Sequence, residues 1–178
     1  MKLLTDSTTD MPQFQRKPIK TMKNLDVNIQ IKEFQMDELS KVDRAMVDIA
    51  IECTKSSYAK YSQFHVGASI LLANKAIIRG CNQENAAFPA GICAERSAIF
   101  AAGAQFPDQP VKILAIAARD HSGELTEEPV SPCGTCRQVM IETETRFNTP
   151  IHILLYGKRR VYVIDGIRNL MPLSFTEF

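Results

Sequence analysis

Three cysteines and one glutamate are the residues of this 178-residue chain most suited to chemistry. Glu95 follows Cys93 by two residues, and Cys133-Gly134-Thr135-Cys136 stands forty residues after Cys93. A single cysteine plus a Cys-x-x-Cys pair offers three thiolates to one tetrahedral zinc ion and leaves the fourth position open to water, as catalytic rather than structural zinc requires. A carboxylate two residues from the first ligand can sit beside that open position and carry protons without ligating the metal.

Each half of this set has a plainer reading when taken alone. Cys133-x-x-Cys136 suits a redox pair or half of a closed zinc site, and Cys93-x-Glu95 by itself implies nothing. A redox reading leaves Cys93 and Glu95 unexplained, while a closed site needs a fourth ligand. None of the three histidines supplies one convincingly, since His65 precedes a strand, His121 falls in a loop and His152 belongs to a strand. Three thiolates on a divalent ion carry net negative charge. Arg96, next to Glu95, is a candidate for donating hydrogen bonds to the sulfurs, and Arg137 is a second.

The elements that must position these residues follow from periodicity and punctuation. Residues 1–24 are polar, broken by Pro12 and Pro18, and read as a flexible extension ahead of a folded domain at 25–178. Val27, Ile29 and Ile31 alternate as a short edge strand. Ser40 with Asp43 forms a capping signal for a helix lasting to about Ala59, with Val42, Met46, Ile49, Ala50 and Cys53 on its apolar stripe. Residues 66–72 and 76–81 make a hairpin around Ala73-Asn74-Lys75, running into the polar cluster Cys81-Asn82-Gln83-Glu84-Asn85.

Cys93 opens a helix that Gly103 closes, 111–118 is a strand buried on both faces, and Cys133 opens a helix ending before Pro150. Strands at 151–155 and 161–164 and a short helix from Gly166 complete the order. The sum is an α/β fold of three layers, α/β/α, with a central mixed five-stranded sheet. Both ligand segments begin helices, where unpaired N–H groups and the helix dipole favour a thiolate.

Composition narrows the function classes. The formal net charge is +1 with scattered lysines and arginines, which excludes the dense basic face of a nucleic-acid binder. Lys158-Arg159-Arg160 reads as a solvated turn. Five cysteines without a secretion signal favour a reducing, cytoplasmic setting, and no apolar run is long enough for a bilayer.

Four segments in order resemble the homotetrameric cytidine deaminase family: Tyr61-Ser62-Gln63-Phe64-His65-Val66-Gly67-Ala68, Gly80-Cys81-Asn82-Gln83-Glu84-Asn85-Ala86, Cys93-Ala94-Glu95-Arg96 and Ser131-Pro132-Cys133-Gly134-Thr135-Cys136-Arg137-Gln138. The similarity runs from about Ser40 to Phe175, and Cys-Ala-Glu in place of His-Ala-Glu resembles the free-nucleoside branch of the wider superfamily. The resemblance implies a cytidine deaminase-like fold, a catalytic domain at 25–178, and hydrolysis of cytidine and deoxycytidine to uridine and deoxyuridine with release of ammonia.

It further implies one zinc per subunit on Cys93, Cys133 and Cys136, with Glu95 as proton carrier and Arg96 supporting the sulfurs. Asn82 and Glu84 are implied at the ribose 3′-hydroxyl, Phe64 on the pyrimidine face and the Ala94 backbone N–H at the ring carbonyl. Phe175 is implied to reach a neighbouring subunit's site in a tetramer, with a nucleoside as substrate and neither nucleic acid nor membrane as partner. Phe88 stands where the family commonly has tyrosine. A related deaminase of the blasticidin type and a non-catalytic zinc-binding paralogue are the competing readings.

Overall fold

The computed structural model describes residues 23–176. The extension expected at 1–24 therefore lies outside the described residues, apart from its last two. Ser40 caps the first helix as its sequence predicts: its Oγ accepts from the Asp43 N–H at 3.1 Å. The helix α1 spans Lys41–Cys53 and buries Met46, Val47, Ala50 and Cys53. It stops short of Ala59 because hydroxyls take over the backbone acceptors. Thr54 donates to the Ile51 carbonyl and Ser57 to that of Thr54, each at 2.7 Å, and the chain tightens into a 3-10 turn over Thr54–Ser56 before turning extended.

Among the described residues the sheet has six strands rather than five. They are β1 (Lys32–Phe34), β2 (His65–Leu72), β3 (Ile77–Cys81), β4 (Val111–Arg119), β5 (His152–Tyr156) and β6 (Val161–Asp165), in the order β1-β6-β5-β4-β2-β3. Only β4 and β5 run parallel; the other pairs are antiparallel.

The sixth strand is the edge strand expected at 27–31, displaced toward the C-terminus. Lys32 pairs with Val163 and Phe34 with Val161. Lys32 reaches Asp165 at 2.9 Å and Arg160 holds Glu33 at 3.0 Å, fixing that register. Beyond Asp165 the chain turns away at Gly166, whose φ is +86°. Among the described residues, those upstream of Lys32 accordingly have no partner strand: the Gln30 N–H goes to the Asn169 side chain, and Val27, Ile29 and Ile31 stay about half exposed.

Alternation along the strands divides the core into two layers. Ala115, Ala117, Leu154, Val161 and Val163 face α1. On the opposite face Ile70, Leu72, Leu114, Ile116, Ile153 and Leu155 pack under α2 (Ala94–Gln105) and α3 (Gly134–Phe147). Helix α2 runs past Gly103, because that position faces open space and it is Pro107 that disfavours a helical Phe106. Helix α3 ends on a left-handed Asn148, and its Glu144 carboxylate accepts from the N–H groups of Ile151 and Ile167, both at 2.8 Å.

One glycine sets the position of α2. A side-chain carbon at Gly80 would stand 2.5 Å from the Ala94 carbonyl oxygen and 2.7 Å from the Ala98 nitrogen. The bare backbone of β3 thus lets the first turn of α2 lie directly on the sheet, with Cys93 and Glu95 at its lip.

Candidate active site

The N-termini of α2 and α3 converge. Cys93 is the N-cap of α2 and Cys133 the N-cap of α3, both extended, and Cys136 is buried in the first turn of α3. The three sulfurs lie within 4.8 Å of one another: Cys93 to Cys133 is 3.8 Å and Cys133 to Cys136 is 3.5 Å. Three thiolates at about 2.3 Å from a tetrahedral zinc stand about 3.8 Å apart, so the donor set fits the ion in number, chemistry and spacing. No fourth ligand joins them among the described residues. His65 is paired with Ser57 at 2.6 Å, and His152 lies between Asp165 at 2.6 Å and Asp43 at 3.5 Å.

Electrostatics prepare the cluster for a cation. A hydrogen bond from the Cys136 thiol, reinforced by Arg96, draws the Cys93 thiol down to about 5, while the same bond pushes Cys136 up. Arg96 Nη2 donates to Cys93 Sγ at 3.7 Å. Arg137 does not share this task. It is held by carbonyls, Nε on Pro132 at 2.9 Å and Nη1 on Leu170 at 2.7 Å, and so ties the start of α3 to the C-terminal segment. Glu95 is buried at 4 % exposure beside Cys136, and desolvation raises its carboxyl above the usual range.

A cleft of about 570 Å³ adjoins Cys93, lined among others by Tyr61, Ser62, Asn82, Glu84, Phe88 and Arg96. The strip carrying Asn82 and Glu84 is fastened on both sides. The Tyr58 N–H donates to the Asn82 carbonyl and the Glu84 N–H to that of Tyr58, while Gln83 and Ile92 exchange two bonds of 2.9 Å one residue before Cys93. Asn82 is held by its own amide, which accepts from the Val66 N–H at 2.8 Å and donates to the Phe64 carbonyl at 2.9 Å. Glu84 accepts from the Tyr61 N–H at 2.7 Å and from the Ser62 N–H and hydroxyl; these donors, the hydroxyl foremost, hold its carboxyl below the usual range.

The other expected residues are placed as follows. Ala94 is fully buried in the first turn of α2. Phe64 is half-buried on the turn before β2, outside the residues lining the cleft. Phe175 is 62 % exposed, its carbonyl accepting from Gln138 at 2.7 Å, and it too is absent from the lining of its own chain's cleft. Phe88 stands 76 % exposed at the rim with its ring edge-on to Tyr61, 5.8 Å between centroids. Sequence reasoning missed Tyr61 and Ser62 as site residues. They reach Glu84 through two backbone N–H groups and the Ser62 hydroxyl, across twenty-two or more positions of chain, and side-chain type alone does not reveal that contact.

Comparison with known proteins agrees with this geometry. Residues 40–148 match the family described as the cytidine and deoxycytidylate deaminase zinc-binding region. A cytidine deaminase of Sporosarcina psychrophila is 44 % identical over 123 residues, covering 69 % of this chain and 83 % of that protein. One from Halalkalibacterium halodurans is 41 % identical over 102 residues, covering 57 % and 72 %. The crystal structure of a cytidine deaminase from Burkholderia pseudomallei superposes with a TM-score of 0.64 at 31 % identity, covering 77 % of this chain and all of that one. With three thiols spaced for zinc and a family match over more than half its length, the chain belongs to the cytidine and deoxycytidylate deaminases.

Proposed function

We propose that this chain is a zinc-dependent hydrolase that converts cytidine and deoxycytidine to uridine and deoxyuridine, releasing ammonia. The observation that carries the proposal is the meeting of Cys93, Cys133 and Cys136 at one point with a buried Glu95 beside them. Cys93, Cys133 and Cys136 would hold one zinc ion per subunit, and that ion would supply an activated water for attack on C4 of the pyrimidine. Glu95 accepts a proton from the attacking water, delivers it to ring N3, and later passes the second proton to the departing amine. Burial raises the basicity of Glu95, which suits it to both transfers. Arg96 offsets the negative charge of the thiolates.

The sugar falls to Asn82 and Glu84 in the cleft, both at its 3′-hydroxyl, and this selects a nucleoside over a free base. The Ala94 N–H, at the unpaired start of α2, receives the ring carbonyl, and Phe64 packs on the pyrimidine face. Phe175, exposed and outside its own chain's cleft, serves the site of a neighbouring copy in a tetramer. Residues 25–178 form the catalytic domain, preceded by the extension at 1–24. The protein works in the cytoplasm; among the described residues no helix is long and apolar enough to cross a membrane.

The test is turnover by purified, zinc-loaded protein on cytidine, deoxycytidine, free cytosine, deoxycytidylate and a blasticidin-type nucleoside. Loss of cytidine absorbance with ammonia release is expected for the first two. No turnover of cytidine overturns the proposal, and turnover of the blasticidin-type nucleoside alone replaces it.

A further inference from the structure

The Glu84 carboxylate is gripped by one short turn before any substrate arrives. Oε2 accepts from the N–H groups of Tyr61 and Ser62 at 2.7 and 3.3 Å, and Oε1 accepts from the Ser62 hydroxyl. A carboxylate has about four lone-pair positions. Three are filled, so one acceptor position on Oε1 remains, and Ser62 decides which way it points. Asn82 complements it. One of its two amide protons is spent on the Phe64 carbonyl, leaving the second as a donor. A hydroxyl placed between the two side chains can therefore donate to Glu84 and accept from Asn82 at the same time.

The same serine also fixes the other side of the turn. Ser62 Oγ accepts from the Phe64 N–H at 3.1 Å, and between them Gln63 is left-handed at φ 54°, its N–H bound to the Ala59 carbonyl at 2.9 Å. A non-glycine residue in that region costs energy that the surrounding bonds must offset, and such residues gather where geometry is imposed for function.

We infer that Ser62 is a positioning residue for sugar recognition: its hydroxyl orients the Glu84 carboxylate so that a single acceptor position faces the 3′-hydroxyl of the nucleoside. The inference rests on the reading of Glu84 as a ribose contact.

The experiment compares kcat/KM for deoxycytidine and 2′,3′-dideoxycytidine, which differ only in the 3′-hydroxyl, in wild type and Ser62→Ala. A ratio cancels any general effect on folding, zinc or base stacking. Wild type is expected to favour deoxycytidine, and Ser62→Ala to reduce that preference by about tenfold, the scale of one hydrogen bond to a charged group, mainly through KM. Ser62→Thr, which keeps the hydroxyl, restores the preference. If Ser62→Ala does not fold, Ser62→Cys, with similar size and a much weaker donor, is measured in its place.

A wild type that treats the two substrates alike overturns the sugar role of Glu84, and the role of Ser62 with it. A wild type that discriminates while the variant discriminates equally overturns Ser62 alone and leaves Glu84 in place. Equal losses on both substrates make Ser62 a general structural residue and also overturn the inference.

Discussion

Two carboxylates of the candidate site are tuned in opposite directions by their neighbours. Glu95 is raised by burial, as a proton carrier should be, and Glu84 is lowered by donors, as a fixed acceptor should be. Glu95→Gln keeps volume and hydrogen-bonding reach but cannot take up a proton. Turnover of cytidine should fall by about 10²–10⁴-fold, with zinc still bound when metal content is measured. Retained turnover would remove Glu95 from the reaction.

For Glu84 the sign runs the other way. Its folded pKa lies below the unfolded value, so the stability it contributes is fully present above the ordinary carboxylate range and is lost as pH falls through the depressed folded value. Thermal melts of wild type and Glu84→Gln should thus differ at neutral pH and converge in acid. A gap that persists in acid would mean that the donors do not act through the charge. Glu95 could be picked out from sequence because Cys93-x-Glu95 stands in one chain with Cys133-x-x-Cys136, and the two together are specific where neither is alone. Ser62 could not, because nothing local tells a serine that caps a carboxylate twenty-two positions away from one that faces solvent.

At the level of elements, Gly80 is the residue on which the placement of α2 depends. Gly80→Ala drives a methyl into the Ala94 carbonyl and the Ala98 backbone, and those atoms belong to a packed helix rather than a flexible side chain. The variant should lose about 1–3 kcal/mol of stability, the usual scale of overpacking, and should bind zinc more weakly because Cys93 moves with the helix. Denaturant unfolding and metal titration check the two effects, and unchanged zinc affinity would show that the cluster does not depend on this close approach.

The elements were largely legible for local reasons. Ser40 and Asp43 announce the start of α1, and the nearly continuous apolar run at 111–118, broken by Lys112 alone, announces a strand covered on both sides. The errors share a tertiary origin. The end of α1 depends on which carbonyls Thr54 and Ser57 reach, and the location of β1 depends on how far β6 extends before Gly166 turns the chain. Arg96, three residues after Cys93, and Arg137, one after Cys136, are both basic residues close to ligands in sequence, and only the fold sends one to sulfur and the other to carbonyl oxygen.

Across the whole molecule, the metal site joins two helices that leave the sheet at different points of the chain. An ion held by Cys93, Cys133 and Cys136 closes a loop of forty residues and adds binding free energy to folding, about 3 kcal/mol when free zinc stands at a hundredfold its Kd. Chelation should therefore lower Tm and, in hydrogen exchange, expose the first turns of α2 and α3 while α1, on the other face of the sheet, keeps its protection. Equal loosening of both faces, or of neither, would contradict a local tie.

The two borders of the sheet bear on self-association. At one, β1 is three residues long, with Lys32 and Glu33 already paired to Asp165 and Arg160; at the other, β3 carries Arg79 on its exposed side. Short, charged margins give a foreign strand little to extend and guard against runaway stacking of copies into fibres. Any self-association would thereby be steered toward the helices and loops rather than the sheet edges.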